Sequence, residues 1–179
     1  MNYHNITKCD LLNGEGVRVV LWLAGCSHHC KGCQNPITWD KDGGLPFDQN
    51  AKQELFDALM SDDIDGLTFS GGDPLFCENR QEVGSLIKEI SQKFKNKNIW
   101  LYTGFLWEEV KDLPFMPLVD VLVDGRFEID KLDNSLLWKG SSNQRVIDVK
   151  KSLKSGKVVL YCDNITSTLQ DTPKCKKCC

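Results

Sequence analysis

The chain has 179 residues, a length that suits one domain built on one core. Hydrophobic residues make up 41% and charged residues 26%, as in an ordinary soluble globular protein. The net charge of -3 gives no general attraction to nucleic acid or to anionic membrane, and no apolar run approaches the roughly 18 residues of a membrane span.

The N-terminal residues Met1 to Asn5 lack the basic-then-apolar pattern of a signal peptide. Gly16 to Ala24 reads as a strand, and it runs directly into Cys26, Cys30 and Cys33. Asn50 to Met60 places Leu55, Ala58 and Leu59 at helical spacing. Gly66 to Ser70 is a short buried strand ending in Gly71-Gly72-Asp73-Pro74. Asn79 to Phe94 is a second amphipathic helix carrying Val83, Leu86, Ile87 and Ile90. Asn98 to Thr103 is a strand followed by Gly104, and Leu106 to Leu113 is a short helix closed by Pro114. Val119 to Asp124 is a strand, Glu128 to Lys139 is a polar excursion without a period, and Arg145–Val149 and Val158–Tyr161 read as two last short strands. The polar stretch from Thr166 ends in Cys175, Cys178 and Cys179, so we expect a core over residues 1–165 and a flexible Cys-rich tail over 166–179.

Alternating strands and helices predict a parallel sheet with helical crossovers. A full eight-fold barrel needs about 250 residues. The expectation is therefore a single-domain α/β fold, an incomplete, open (β/α) barrel of five or six mainly parallel strands. Chemistry in such folds gathers at the C-terminal ends of the strands. The cysteine loop, Gly71-Gly72-Asp73, Thr103-Gly104 and Asp124-Gly125-Arg126 all fall at such ends.

The C-x3-C-x2-C spacing is the most informative motif. Cubane iron–sulfur clusters usually take four cysteine thiolates, so a loop supplying three leaves one iron open to a non-protein ligand. A structural zinc site with a fourth, distant ligand is the other reading, although no second cysteine pair flanks the loop at ribbon distance. His28 and His29 read as exposed loop residues without a metal role. Gly71 and Gly72 would let backbone approach a bound molecule, Asp73 could accept from an ammonium group, and Ser70 adds a polar contact; a plain turn is the alternative. Nine cysteines without a secretion signal point to a reducing, cytoplasmic compartment. Cys9 and Cys77 read as buried or partly buried thiols. Cys162, Cys175, Cys178 and Cys179 are either a reduced tail or half-built zinc ligands. The five tryptophans, Trp22, Trp39, Trp100, Trp107 and Trp138, read as core or interface anchors.

Cys26, Cys30 and Cys33 with Gly71-Gly72-Asp73-Pro74 downstream resemble the radical S-adenosylmethionine enzymes. Val17-Arg18, Thr38-Trp39, Trp100 to Phe105, Val121 to Phe127 and Trp138 to Arg145 narrow the resemblance to activating proteins of anaerobic (class III) ribonucleoside-triphosphate reductases. That resemblance implies a 4Fe–4S cluster on the three cysteines, with S-adenosylmethionine chelating the open iron. It implies cofactor contacts from Gly32, Cys33, Gln34 and Asn35, from Ser70 to Asp73, and from Asp124 and Arg126. Ser141, Ser142, Asn143, Gln144 and Arg145 would meet cofactor or partner. Asp73 stands where Glu is commoner. The implied reaction makes a 5′-deoxyadenosyl radical that takes a hydrogen atom from a glycine of the large reductase subunit, with flavodoxin or ferredoxin as reductant. No side chain is required as acid or base, and neither nucleic acid nor membrane is an expected partner. Activation of another glycyl-radical enzyme, of the pyruvate formate-lyase type, and a zinc-stabilised binding module are the alternatives.

Overall fold

The structure of the protein, a computed structural model, describes residues 1–161. Cys162, Cys175, Cys178 and Cys179, and the expected boundary near residue 165, lie outside the described residues. In chain order the strands are β1 (Asn2–Asp10), β2 (Arg18–Leu23), β3 (Leu45–Pro46), β4 (Gly66–Gly71), β5 (Asn98–Tyr102), β6 (Val121–Asp124) and β7 (Arg145–Asp148). The helices are α1 (Gln49–Leu59), α2 (Arg80–Lys93), α3 (Trp107–Val110) and α4 (Val149–Ser155).

The strands form one mixed sheet in the order β3-β1-β2-β4-β5-β6-β7. It is an α/β sheet and it is not closed. The centre, β2·β4·β5·β6, is parallel, and crossovers through α1, α2 and α3 join its strands. The flanks β3·β1·β2 and β6·β7 are antiparallel. The expectation of five or six mainly parallel strands thus needs correcting to seven strands with evenly divided pairings. The two extra strands are β1 and the very short β3. In β1 a register slip lies between Tyr3 and Asn5, so Tyr3 and Ile6 are both buried although an odd number of positions separates them. A slip of this kind destroys the period-two pattern by which a strand is read. Val158–Tyr161 is not a strand: only Leu160 bridges to Ile147, and Val149–Ser155, between the two expected strands, is helical. Asp148 caps α4 by accepting from Lys151 N, and Gly156 closes it at φ 69°.

The two faces of the sheet differ. Val19, Leu21, Leu67, Phe69, Ile99, Leu101 and Leu122 point to one side and join Leu55, Leu59, Val83, Ile87 and Ile90 of α1 and α2 in the main core. Asp48 begins α1 by accepting from Asn50 N and Ala51 N, which sets Ala51, Leu55, Phe56 and Leu59 along the buried stripe. The opposite face carries Arg18, Thr68, Trp100, Val121 and Val123, and no helix covers it among the described residues. Trp138 and Tyr161 close its lower part by packing edge-on against Trp100, with ring centroids 5.1 and 5.2 Å away.

Arg18 is fully buried on this second face. Its guanidinium donates to Thr68 Oγ1 (2.7 Å), Asn98 Oδ1 (2.7 Å), Leu67 O (2.9 Å) and Glu15 O (3.1 Å), and lies over the Trp100 ring. Burial lowers its pKa to about 10, which still leaves it charged at neutral pH. Thr68 Oγ1 in turn donates to Asn13 O, so Arg18 fixes the β1–β2 loop both directly at Glu15 and through Thr68. Arg18→Met leaves several buried acceptors unpaired and should cost about 3 kcal/mol or more. Urea unfolding of the metal-free chain measures this; a loss under about 1 kcal/mol would show that water can replace the guanidinium.

Candidate metal centre

Because β2, β4, β5 and β6 run parallel, their C-terminal ends lie along one edge. A cavity of about 520 Å³ opens there, and Cys26, Cys30 and Cys33 are all in its wall. Gln34, Asn35, Ser70, Gly71, Gly72 and Gln144 also line it. Gly32, Asp73, Asp124, Arg126, Ser141, Ser142, Asn143 and Arg145 are not among its lining residues.

Backbone bonds shape the cysteine loop. Gly25 N donates to Thr38 O (2.8 Å) and Cys26 N to Trp39 O (3.1 Å), closing the base of the loop. Thr38 is buried, and its hydroxyl donates to Asn35 O (2.7 Å). Within the loop Cys33 N donates to Cys30 O (3.1 Å), and His29 takes a left-handed conformation at φ 45°. The three thiols are free and half-buried. Asn35 N donates to Cys33 Sγ (3.3 Å), the kind of bond that stabilises a metal-bound thiolate. Burial pushes the Cys26 thiol up, and the backbone N–H groups of His28 and His29 partly offset this. Among the described residues no three His, Cys, Asp or Glu side chains are gathered for one metal ion. A cubane does not ask for that, since each thiolate goes to a different iron. A donor set of three thiols on one short loop, with an amide N–H on one sulfur, fits such a cluster.

Gly71 and Gly72 line the cavity, but protein backbone also explains why both are glycine. A Cβ on Gly71, which sits at φ 102°, would lie 2.5 Å from Leu23 N and O. A Cβ on Gly72 would overlap the Gly25 carbonyl and lie 2.7 Å from Thr38 O. Gly72 N donates to Leu23 O (2.8 Å) and Asp73 N to Gly25 O (2.8 Å). The end of β4 is thus bonded to the root of the cysteine loop at a separation that only glycine allows.

Asp73 is 1% exposed and faces protein. Oδ1 accepts from Leu75 N (2.8 Å) and Thr103 Oγ1 (2.9 Å), and Oδ2 accepts from Gly104 N (3.0 Å). His28 Nε2 lies 2.7 Å from Oδ2. His28 is therefore not the exposed loop residue that its neighbourhood suggested: its side chain is 5% exposed and it lines the cavity. His29 is exposed, as expected. Cys77 is exposed and Cys9 half-buried, which corrects the expectation for Cys77.

The β6 end points elsewhere. Asp124 is fully buried, accepts from Trp107 N (2.7 Å) at the start of α3, and pairs with Arg145, whose Nε lies 3.0 Å from Oδ1. Arg145 also pairs with Glu108, and that guanidinium holds the Glu108 carboxyl below its ordinary range. Arg126 is exposed. Asn143 Nδ2 donates to Arg126 O (2.8 Å), and Ser142 N donates to Lys131 O (2.9 Å). Buried Ser141 accepts from Glu128 N through its hydroxyl (3.2 Å). Gln144 Oε1 accepts from Gly140 N (2.9 Å), while Nε2 donates to Gly125 O (2.9 Å). This run therefore binds the excursion over residues 128–144 to the end of β6. The excursion in turn reaches the cysteine loop, where a Cβ on Gly32 would lie 3.0 Å from Ile129 Cδ1. Trp22, Trp39, Tyr102, Trp138 and Lys139 also line the cavity and were not expected there. The alternation of β2 and β5 could have flagged Trp22 and Tyr102, which share the open face with Arg18 and Trp100.

Three thiols in one cavity at the C-terminal edge of the parallel strands mark an α/β protein with a candidate metal centre, and the comparisons with known proteins point the same way. Residues 12–147 match the family described as a 4Fe-4S single cluster domain. The anaerobic ribonucleoside-triphosphate reductase-activating protein of Enterobacteria phage T4 is 44% identical over 146 residues, covering 82% of this chain and 93% of that protein. The proteins of the same description from Pasteurella multocida and Escherichia coli K12 are each 39% identical over 150 residues, covering 80% and 82% of this chain and 95% and 97% of theirs. The chain belongs to the family of anaerobic ribonucleoside-triphosphate reductase-activating proteins.

Gly72→Ala should dislodge the cysteine loop, because backbone occupies the site of the new methyl group. The variant should retain less than about a tenth of the wild-type iron after anaerobic reconstitution. Iron assay on the purified variant checks this, and full loading would show that the two strand ends can separate freely.

Proposed function

We propose that this protein activates anaerobic ribonucleoside-triphosphate reductase by generating its glycyl radical. The thiolates of Cys26, Cys30 and Cys33 would hold a 4Fe–4S cluster, leaving one iron for S-adenosylmethionine in the adjoining cavity. The observation that carries this is the presence of all three thiols, with Ser70, Gly71 and Gly72, in the wall of one cavity. Bound there, the cluster and S-adenosylmethionine would supply the radical chemistry that removes a hydrogen atom from a glycine of the reductase.

The chain's own residues bind, orient and shield. At the end of β4 the Ser70 hydroxyl, beside the Gly71 and Gly72 that line the cavity, would meet the methionine part of the cofactor. Gln34 and Asn35 flank the third cysteine and line the same cavity, where they would meet the rest of the cofactor. Trp22, Tyr102 and Trp138 line the same cavity, and their rings would shield a reactive intermediate from water. Burial raises the Tyr102 phenol above its ordinary range, so it stays neutral there. We read the unclosed sheet as an incomplete (β/α) barrel of the radical S-adenosylmethionine type; the face that no helix covers among the described residues would admit a loop of a protein substrate. Reduced flavodoxin or ferredoxin would deliver the electron. Thiolate ligands and a reduced cluster call for the cytoplasm; among the described residues no helix is long and apolar enough to cross a membrane.

Electron paramagnetic resonance of the reconstituted, dithionite-reduced protein tests the proposal. A reduced 4Fe–4S signal should appear and change shape on addition of S-adenosylmethionine. Replacing any one of Cys26, Cys30 or Cys33 by Ala should abolish both. A colourless zinc protein, or a signal indifferent to the cofactor, would refute the reading.

A further inference from the structure

The centre of the cysteine loop sits in a socket built by two other strand ends. His28 lies midway between Cys26 and Cys30. Its ring packs edge-on against Phe105, with centroids 4.6 Å apart at 71°. Its Nε2 meets Asp73 Oδ2 at 2.7 Å. With the ring proton on Nε2, His28 can donate to this carboxylate, which accepts. Gly104 forms the floor: a Cβ there would lie 2.7 Å from His28 Nε2. Thr103 holds the acid from behind. Its hydroxyl accepts from Phe105 N (3.2 Å) and donates to Asp73.

The Asp73 carboxylate has about four acceptor sites. Leu75 N, Thr103 Oγ1, Gly104 N and His28 Nε2 occupy them. No acceptor site is left for an ammonium group, and Asp73 does not line the cavity. Resting on the function proposed above, we propose that Asp73 is a positioning residue for the cluster. It anchors the arc between Cys26 and Cys30 through His28 and does not bind the cofactor's amino group itself. The arc turns sharply after the anchor, with His29 at φ 45°, which aims Cys30 back to the cavity. Releasing the anchor frees the segment that carries two of the three thiols.

The test compares wild type with His28→Ala, His28→Gln, Asp73→Asn and the His28→Ala/Asp73→Asn double variant. Three readouts are taken: alkylation of the three thiols by iodoacetamide in the metal-free chain, loss of iron from the reconstituted protein to a chelator, and S-adenosylmethionine binding by equilibrium dialysis. His28→Ala and Asp73→Asn should each raise alkylation and iron loss about tenfold. The double variant should be no worse than the worse single one, because one link is cut in each. His28→Gln, whose amide can donate to Asp73, should recover most of the loss. Far-ultraviolet circular dichroism of each metal-free variant separates loop release from unfolding, and the glutamine variant decides the matter if the alanine variant does not fold. The proposal is overturned if His28→Ala matches wild type while Asp73→Asn alone weakens cofactor binding. A wild-type chain that takes up no cluster would sink the proposed function, yet the alkylation pattern would still decide the anchor.

Discussion

Backbone contact between the end of β4 and the root of the cysteine loop sets the geometry of everything above the sheet. Gly25 N donates to Thr38 O, the Gly25 carbonyl accepts from Asp73 N, and Gly72 N donates to Leu23 O. Each bond is ordinary, and a net worth of about 1 kcal/mol apiece would not fix a loop. What fixes it is that these bonds close at a spacing where a single Cβ on residue 71 or 72 has no room. The parallel register of β2 and β4, which pairs Leu23 with Gly71, brings the two ends level and makes that contact possible. The route from sequence to site thus runs through sheet register and two missing side chains.

The two faces of the sheet divide the work. One face, covered by α1 and α2, buries the large apolar side chains that stabilise the fold. The other exchanges part of that packing for a buried guanidinium, an aromatic cluster and a cavity. Arg18 is expensive to bury, and its acceptors come from β4, β5 and the β1–β2 loop. It therefore holds together the strands whose upper ends build the site. Trp138, at φ 60°, accepts a strained backbone conformation to keep the excursion over residues 128–144 on Trp100. The same excursion touches Gly32, so the open face and the cysteine loop are mechanically joined.

Much of this was legible in the sequence because it rests on local pattern. Apolar runs ending in glycine marked β2, β4 and β5, and the chain-order alternation placed their ends together. The C-x3-C-x2-C spacing marked three thiols that do line one cavity. What escaped were long-range choices of partner. His28 is polar and sits in a loop; nothing local says that Asp73 and Gly104, far along the chain, form its socket. Asp124 ends a strand as a site residue should, yet strand parity turns it to the helical side, where Trp107 N and Arg145 take it. Arg145 lay within a motif that suggested cofactor contact, and its guanidinium neutralises that buried acid instead. The bulge in β1 hid a whole strand, since a one-residue slip reverses which side chains face the core.

The central claim is that this scaffold places a cluster and S-adenosylmethionine where a glycine of the reductase can reach them. The most direct measurement mixes the reduced, S-adenosylmethionine-loaded protein with anaerobic ribonucleoside-triphosphate reductase and follows the mixture by electron paramagnetic resonance. The account predicts a glycyl radical doublet on the reductase that collapses to a singlet when its glycines carry deuterium at Cα, with about one 5′-deoxyadenosine formed per radical, the stoichiometry of a single hydrogen-atom transfer. Cleavage of S-adenosylmethionine without any radical on the reductase would contradict it.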